Sequence, residues 1–106
     1  MGNLVYIAGP YSGPTSWAIE CNIRRAESVF LEILRGGVGA PICVHTMCRG
    51  LQGAAEENVF IEMGLAILRG CDVVFVISPY LHSQGTLREI REARDYGIPV
   101  VYHMQL

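Results

Sequence analysis

The sequence predicts a three-layer α/β fold, in which a parallel sheet of about four strands carries helices on both faces. Three observations lead to this prediction. Short apolar runs alternate along the chain with longer segments of helical periodicity. Glycines follow each helical segment closely and end it. The run from Val73 to Ile77 is apolar at every position, which is typical of a strand covered on both faces in a parallel sheet.

The first half of the chain supplies a strand, a helix and a second strand. Leu4 to Ala8 is rich in strand-forming residues and stops at Gly9-Pro10. Apolar residues then recur at helical spacing over residues 16–35 until a pair of glycines ends the pattern. Residues 38–44 are predicted to form the second strand, where Pro41 indicates an edge strand or an irregular start.

The second half continues the alternation after a glycine-containing loop. Its predicted elements are helices over residues 57–69 and 86–96 and strands over residues 72–77 and 99–103. Strands alternating with helices imply right-handed crossovers between parallel neighbours. Ligands of such sheets bind beyond the carboxyl ends of the strands, so we expect the functional residues in the loops at that edge.

Composition narrows the possible functions. The apolar share of 51% argues against disorder, and a net charge of −2 gives no sign of a nucleic-acid polymer or a membrane surface as partner. All eight basic residues are arginines, so the chain lacks the lysine of a Walker P-loop or a Schiff base. No apolar run is long enough to span a bilayer, and no secretory segment precedes the first strand. A cytoplasmic protein is expected.

Four cysteines occur without a C-x-x-C pair, and a cytosolic setting favours reduced thiols over a disulfide. Cys43, His45 and Cys48 form a C-x-H-x-x-C pattern that zinc accepts, and His45 follows the second strand at the expected ligand edge. Structural zinc sites usually show paired C-x-x-C or H-x₃₋₅-H spacing, so we favour a packed thiol beside a pocket histidine and expect no metal. The cysteines are Cys21, Cys43, Cys48 and Cys71.

The most informative segment runs from Ser83 to Glu89 and enters the third helix. Ser83, Gly85 and Thr86 offer hydroxyls and backbone N–H groups at a helix N-terminus, which suits a phosphate or a carboxylate. Glu89 lies one turn further and is the best-placed nucleophile or general base in the sequence. Thr86 and Glu89 also match a capping box, in which Thr86 caps the helix and Glu89 bonds back to its N–H. The spacing of Thr86 and Glu89 favours a capping role for Glu89 over a catalytic one. The pattern excludes neither role.

Other candidate contacts surround the first turn. Gly9-Pro10 allows close approach of a ligand to a stiff backbone, although an ordinary tight turn explains both residues equally well. Tyr6 and Tyr11 flank this turn, where an aromatic ring either stacks on a base or fills the core, and the core is the default for Tyr6 in mid-strand. Arg24-Arg25 on the first helix is interpreted as a solvated face, with the alternative that one arginine faces a ligand phosphate.

Five short segments cover nearly the whole chain in a shared order. They are Tyr6-Ile-Ala-Gly-Pro-Tyr-Ser12, Asn22-Ile-Arg-Arg-Ala26, Gly70-Cys-Asp72, Ser83-x-Gly85-Thr86-x-x-Glu89 and Ala93-x-x-x-Gly-Ile-Pro-Val100. Taken together, these segments resemble the nucleoside 2-deoxyribosyltransferase superfamily, in particular its small branch of the DUF4406 and DUF7768 type. Each segment is weak alone, and the set is fairly specific.

The resemblance implies one Rossmann-like, flavodoxin-like domain over residues 1–106. It also implies action on the N-glycosidic bond of a nucleoside or deoxynucleoside 5′-monophosphate, without a cofactor, by a homodimer or larger assembly. The high apolar share of so short a chain favours an assembly as well. By resemblance, Glu89 is the nucleophile, Ser83 contacts the 5′-phosphate, and Tyr6 and Gly9 line the nucleoside pocket. The other expected substrate contacts are Pro10, Tyr11, Ser12, His45, Gly85 and Thr86.

Two positions depart from the pattern of that superfamily. Active members carry an Asp about eight residues before the Asp that opens the third strand, and Gly64 stands there in this chain. The nearest carboxylate, Glu62, lies about 200° around a helix from that position. Ser12 replaces an arginine that some monophosphate hydrolases have in the first loop. These differences keep open an alternative function, a binding module that sequesters or senses a nucleotide without turnover.

Overall fold

A computed structural model describes residues 3–103, so residues 1–2 and 104–106 of the expected domain lie outside the described part. The elements in chain order are β1 Leu4–Ala8, α1 Ser16–Gly36, β2 Ala40–Ile42, α2 Val44–Met47, α3 Glu57–Arg69, β3 Val73–Val76, α4 Gln84–Asp95 and β4 Val100–Tyr102. The strands form one parallel sheet in the order β2-β1-β3-β4. The predicted α/β fold is confirmed, and its strand order is the flavodoxin-like one.

Helices cover both faces of the sheet because side chains alternate along the buried strands. Tyr6 and Ala8 of β1 pack into a core cluster that includes Ile90 of α4 and residues of α3. Val5 and Ile7 of the same strand pack on the opposite face, in a cluster with residues of α1. The molecule is therefore layered as α1, the sheet, and the pair α3 and α4.

The crossovers open a crevice at the carboxyl edge of the sheet. From β1 the chain passes through α1 to β2 on one side, and it returns through α3 to β3 on the other side of β1. α1 follows β1 and packs on one face of the sheet, whereas α4 follows the adjacent strand β3 and packs on the opposite face. At such a reversal of strand order the following loops move apart and leave room for a ligand.

The second strand is shorter than predicted. The prediction of residues 38–44 is corrected to Ala40–Ile42, and a one-turn helix, Val44–Met47, follows at once. Pro41 has no N–H for a ladder bond, and only three residues of the strand pair with β1. His45 therefore lies within α2 and reaches the sheet edge from a helix instead of a strand end.

The cysteines are free thiols, with Cys21 exposed and Cys43, Cys48 and Cys71 buried. Between residues 3 and 103, no three His, Cys, Asp or Glu side chains come together in a way that suits a metal ion, so the zinc alternative gains no support. None of the helices in this part of the chain combines the length and the apolar character needed to cross a membrane.

Candidate functional site

A cavity of about 930 Å³ opens at the carboxyl edge of the sheet, among the loops that follow β1 and β3. A smaller hollow of about 390 Å³ beside Trp17 contains none of the residues expected in the site. The larger cavity brings together every residue that sequence reasoning placed there. These wall residues are Tyr6, Gly9, Pro10, Tyr11, Ser12, His45, Ser83, Gly85, Thr86 and Glu89.

Glu89 lies on α4 and bonds to the central strand instead of to its own helix. The hydroxyl of Tyr6 donates a hydrogen bond to Oε2 of Glu89. Tyr6 is only 1% exposed, because strand alternation turns its ring into the core between the sheet and the pair α3 and α4. The ring fills the core, as the default interpretation of Tyr6 predicts, and Tyr6 also contributes to the cavity wall.

The start of α4 is capped by Ser83, not by Thr86. Oγ of Ser83 accepts the backbone N–H of Thr86 at 3.2 Å, and the two hydroxyl oxygens are 2.8 Å apart. The helix therefore begins at Gln84, two residues before the predicted start. Glu89 lies beyond the first turn, and its carboxylate accepts from Tyr6. The interpretation of Thr86 and Glu89 as a capping box is wrong.

Burial sets the protonation of the Tyr6–Glu89 pair. Removal from water raises the pKa of Glu89 to about 7, although the hydrogen bond from Tyr6 acts in the opposite direction. Burial and the neighbouring carboxylate raise the pKa of Tyr6 as well, so its hydroxyl keeps its proton and remains a donor. A carboxyl group that titrates near neutral pH at a cavity wall is suited to act as a nucleophile or base when ionised and as an acid when protonated.

Gly64 on α3 faces the same pair. A Cβ atom at this position would lie 3.0 Å from the Tyr6 hydroxyl oxygen and 4.0 Å from Oε2 of Glu89. The position at which the resemblance leads us to expect an Asp thus adjoins the pair, and Gly64 has no side chain there. The exposed Glu62 takes no part, because its carboxylate accepts from Arg88 at 2.7 Å on the outer surface.

His45 holds the turn after β1. Its Nε2 lies 3.1 Å from the carbonyl oxygens of both Gly9 and Pro10, so this nitrogen carries the proton and donates. Burial lowers the pKa of His45, and the two carbonyl contacts offset part of this effect, so the imidazole is neutral. Gly9 is needed here because a Cβ atom would lie 3.2 Å from the side chain of Ile77. The turn is therefore fixed against the end of β3.

Asn22 fixes the next part of the same loop. Its Nδ2 donates to the carbonyl oxygens of Tyr11 at 3.0 Å and Ser12 at 3.2 Å. The Tyr11 ring meets the His45 ring edge-on with centroids 5.4 Å apart, and its hydroxyl donates to Gln52 at 3.1 Å. Sequence reasoning gave Asn22 and Gln52 no role. The available signal for Asn22 was its place in one of the five shared segments.

α3 adds apolar wall residues that the sequence did not single out, and α1 adds one of the two arginines considered there. Phe60 and Ile61 supply an apolar surface that suits the face of a base or a sugar. Arg25 supplies a positive charge to the cavity wall, whereas Arg24 is exposed and pairs with Glu20 at 3.0 Å. Arg24 thus lies on the solvated face that was expected, and Arg25 lines the cavity.

The fold and the position of the cavity define a flavodoxin-like α/β protein with a ligand cavity at the reversal of its strand order. The chain belongs to the DUF7768 family, a domain of unknown function, whose model matches residues 3–103. No match supports the DUF4406 part of the expectation.

One solved structure relates this fold to a characterised enzyme. It is a 2-deoxyribosyltransferase from the psychrotolerant bacterium Bacillus psychrosaccharolyticus, with a TM-score of 0.60 and 19% sequence identity. The match covers 93% of this chain and 70% of that chain. The fold is therefore nucleoside-transferase-like. None of the curated proteins matches the sequence.

Proposed function

We propose that this protein cleaves the N-glycosidic bond of a nucleoside or a deoxynucleoside 5′-monophosphate, with Glu89 as the nucleophile. The observation that carries the proposal is the Glu89 carboxyl group at the cavity wall, bonded to Tyr6. Burial raises the pKa of this group to about 7. The deoxyribosyltransferase-like fold supports the same substrate class.

The proposed reaction has two steps. A carboxylate oxygen of Glu89 attacks C1′ of the sugar, the C1′–N bond breaks, and its electron pair leaves with the base, which takes a proton from solvent. Water then attacks C1′ of the glycosyl ester, its O–C1′ bond forms as the ester C1′–O bond breaks, and one of its protons passes to solvent, which releases the sugar and restores the carboxylate. When a second base attacks instead of water, the product is a new nucleoside and the reaction is a transfer. This chemistry requires no metal or organic cofactor.

The other wall residues take supporting parts in this proposal. Tyr6 positions the carboxylate of Glu89 and favours its ionised form through the hydrogen bond that it donates. The first turn, including Tyr11, lines the nucleoside end of the cavity. For Ser83 the resemblance suggests contact with a 5′-phosphate, and its hydroxyl already bonds to Thr86 in the cap of α4.

The test of this function is release of free base from a panel of deoxynucleosides and their 5′-monophosphates at pH 8, measured by liquid chromatography. We expect release by the wild type and a loss of at least about 1,000-fold in Glu89→Gln, because the nucleophile is gone. Glu62→Gln is the matched control, since this exposed glutamate pairs with Arg88 away from the cavity. No release from any substrate, or equal release by Glu89→Gln, would overturn the proposal.

A second function is favoured by Gly64. Because Gly64 adjoins Glu89 where active relatives carry a carboxylate, the alternative is a module that binds a nucleotide and does not turn it over. Calorimetry separates the two: nucleotide binding by the wild type with no free base after prolonged incubation selects the binding module. Free base that depends on Glu89 selects the enzyme.

A homo-oligomer is also part of the proposal. Large apolar side chains remain exposed in a single chain, with Trp17 at 61%, Val38 at 69% and Leu81 at 70%. Burial of such surface between copies would be favourable. Light scattering at micromolar concentration is expected to give at least a dimer mass, and a monomer mass would contradict this part of the proposal.

A further inference from the structure

Arg25 is the one arginine on the wall of the large cavity within residues 3–103. Its side chain is half-buried, and its Nε is fully buried with no hydrogen-bond partner in that part of the chain. Buried donors in folded proteins are nearly always satisfied, because leaving one unpaired costs most of its lost hydration. This Nε is covered by protein atoms, so the parts of the guanidinium that line the cavity are the ones that meet an entering acceptor.

No carboxylate within the described residues neutralises this guanidinium. Its one hydrogen bond joins Nη2 to Oδ1 of Asn22 at 3.4 Å, and Asn22 is itself held by the first loop. Arg24 shows the contrast, because it pairs with Glu20 at 3.0 Å. Of the acidic residues on the cavity wall, Glu89 accepts from Tyr6 and Glu57 is exposed.

His45 does not neutralise or compete with Arg25. Both residues line the same cavity, and burial, with a smaller effect of the Arg25 charge, lowers the pKa of His45, so the imidazole stays neutral. The Nε2–H of His45 is directed to the Gly9 and Pro10 carbonyl oxygens and is not available to a ligand. Arg25 is thus the permanent positive charge on this side of the cavity.

We infer that Arg25 binds a phosphate group of the substrate, so that the cavity accepts a nucleoside monophosphate in preference to an uncharged nucleoside. A guanidinium offers two parallel N–H donors to a phosphate, and Arg25 presents its charge at the cavity wall. Asn22 positions the guanidinium through Nη2. The inference rests on the proposed nucleoside substrate and assigns the phosphate to α1, at a distance in the chain from the Ser83 cap.

The test is calorimetric binding of a deoxynucleoside, its 5′-monophosphate and inorganic phosphate to three proteins: wild type, Arg25→Gln and Arg24→Gln. We expect the wild type to bind the monophosphate about 10- to 100-fold more tightly than the nucleoside, as for a charge-assisted contact. Arg25→Gln should lose this preference and its competition by inorganic phosphate. Arg24→Gln removes the same charge from the solvent side of the helix and should keep both.

The outcomes separate this inference from the proposed function. Binding that depends on Arg25 without any base release supports the phosphate site and overturns the enzyme. Base release at equal rates from nucleoside and monophosphate, unchanged in Arg25→Gln, overturns the phosphate site and leaves the enzyme. Absence of binding by both ligands overturns both.

Arg25→Lys provides a second variant in case Arg25→Gln does not fold, which circular dichroism would show. It keeps the charge and loses the planar pair of N–H donors of the guanidinium. We expect it to bind the monophosphate with intermediate affinity, and a preference equal to that of the wild type would count against the two-donor contact.

Discussion

The two walls of the cavity differ in whether the charge of their ionisable residue changes with pH. The Glu89 wall, on the α3 and α4 face of the sheet, consists of Tyr6, Gly64 and Glu89. The Arg25 wall, on the side of α1, consists of Asn22, Arg25 and His45. The first wall has one acid whose charge changes near neutral pH, whereas the second has a cation whose charge is permanent.

This difference suggests that the Glu89 wall carries out the chemistry and that the Arg25 wall binds the substrate. A group that gains and loses its charge near the working pH is suited to chemistry, and a group that is always charged is suited to binding. Changes in the Glu89 wall should therefore alter turnover and its pH dependence. Changes in the Arg25 wall should alter affinity and leave that pH dependence in place.

After the loss of Glu89 itself, the largest expected effect is that of Tyr6→Phe. Loss of the donated hydrogen bond removes the interaction that favours ionised Glu89, so the pKa of Glu89 should rise above about 7. We expect base release at pH 7 to fall about 10- to 100-fold and the ascending limb of kcat/KM to move to higher pH.

Two control variants accompany Tyr6→Phe, one at an exposed tyrosine and one on the Arg25 wall. Tyr96→Phe makes the same change at a side chain that is 59% exposed and should leave the profile unchanged. Arg25→Gln should raise KM without moving the limb. An unchanged ascending limb of the kcat/KM profile in Tyr6→Phe would contradict the effect of the Tyr6 hydroxyl on the pKa of Glu89.

The next effect concerns folding stability. The folded-state pKa of Glu89, about 7, is above its ordinary value of 4.5, so between these pH values the folded state binds more protons than the unfolded chain. Stability contributed by the protonated carboxyl group should therefore be lost as pH rises from 4.5 to 7, by about 3 kcal/mol.

Urea unfolding at several pH values measures this loss. Glu89→Gln cannot ionise and should lose about 3 kcal/mol less than the wild type over that range. Arg25→Gln should follow the wild type, since its own charge does not change in this range. Parallel stability curves for the wild type and Glu89→Gln would contradict the raised pKa.

The smallest effect distinguishes two helical glycines. Gly36→Ala meets no atom within 4 Å and should stabilise the protein by up to about 1 kcal/mol through helix propensity. Gly64→Ala brings a Cβ atom to 3.0 Å from the Tyr6 hydroxyl oxygen and should lose this gain while lowering base release. Thermal unfolding and activity of the two variants test the contact, and equal gains in stability with full activity would contradict it.

Much of the fold could be predicted because local signals agree with the global arrangement. The continuous apolar run within residues 72–77 indicated a strand buried on both faces, and β3 at Val73–Val76 is such a strand. The second strand was predicted too long, since the sequence after Pro41 does not reveal that α2 begins directly after the strand. The capping-box spacing of Thr86 and Glu89 predicts a start of α4 at Thr86, whereas the geometry selects Ser83, which is an equally good cap.

The site could be predicted only in part, because its decisive contacts join distant residues. Spacing alone favoured a capping role for Glu89, and its true partner, Tyr6, lies 83 positions earlier in the chain. The phosphate-binding role proposed for Arg25 depends on the absence of a nearby carboxylate within the described residues. No local sequence pattern reveals this absence. The shared segments placed the right residues at one edge without giving these contacts.

The central claim, that Glu89 reacts with the sugar, can be tested most directly by mass spectrometry of the protein quenched in acid during turnover. We predict a mass increase equal to the glycosyl group, located on the peptide that contains Glu89 and absent from Glu89→Gln. An unmodified Glu89 peptide during active base release, or an adduct on another residue, would contradict the account.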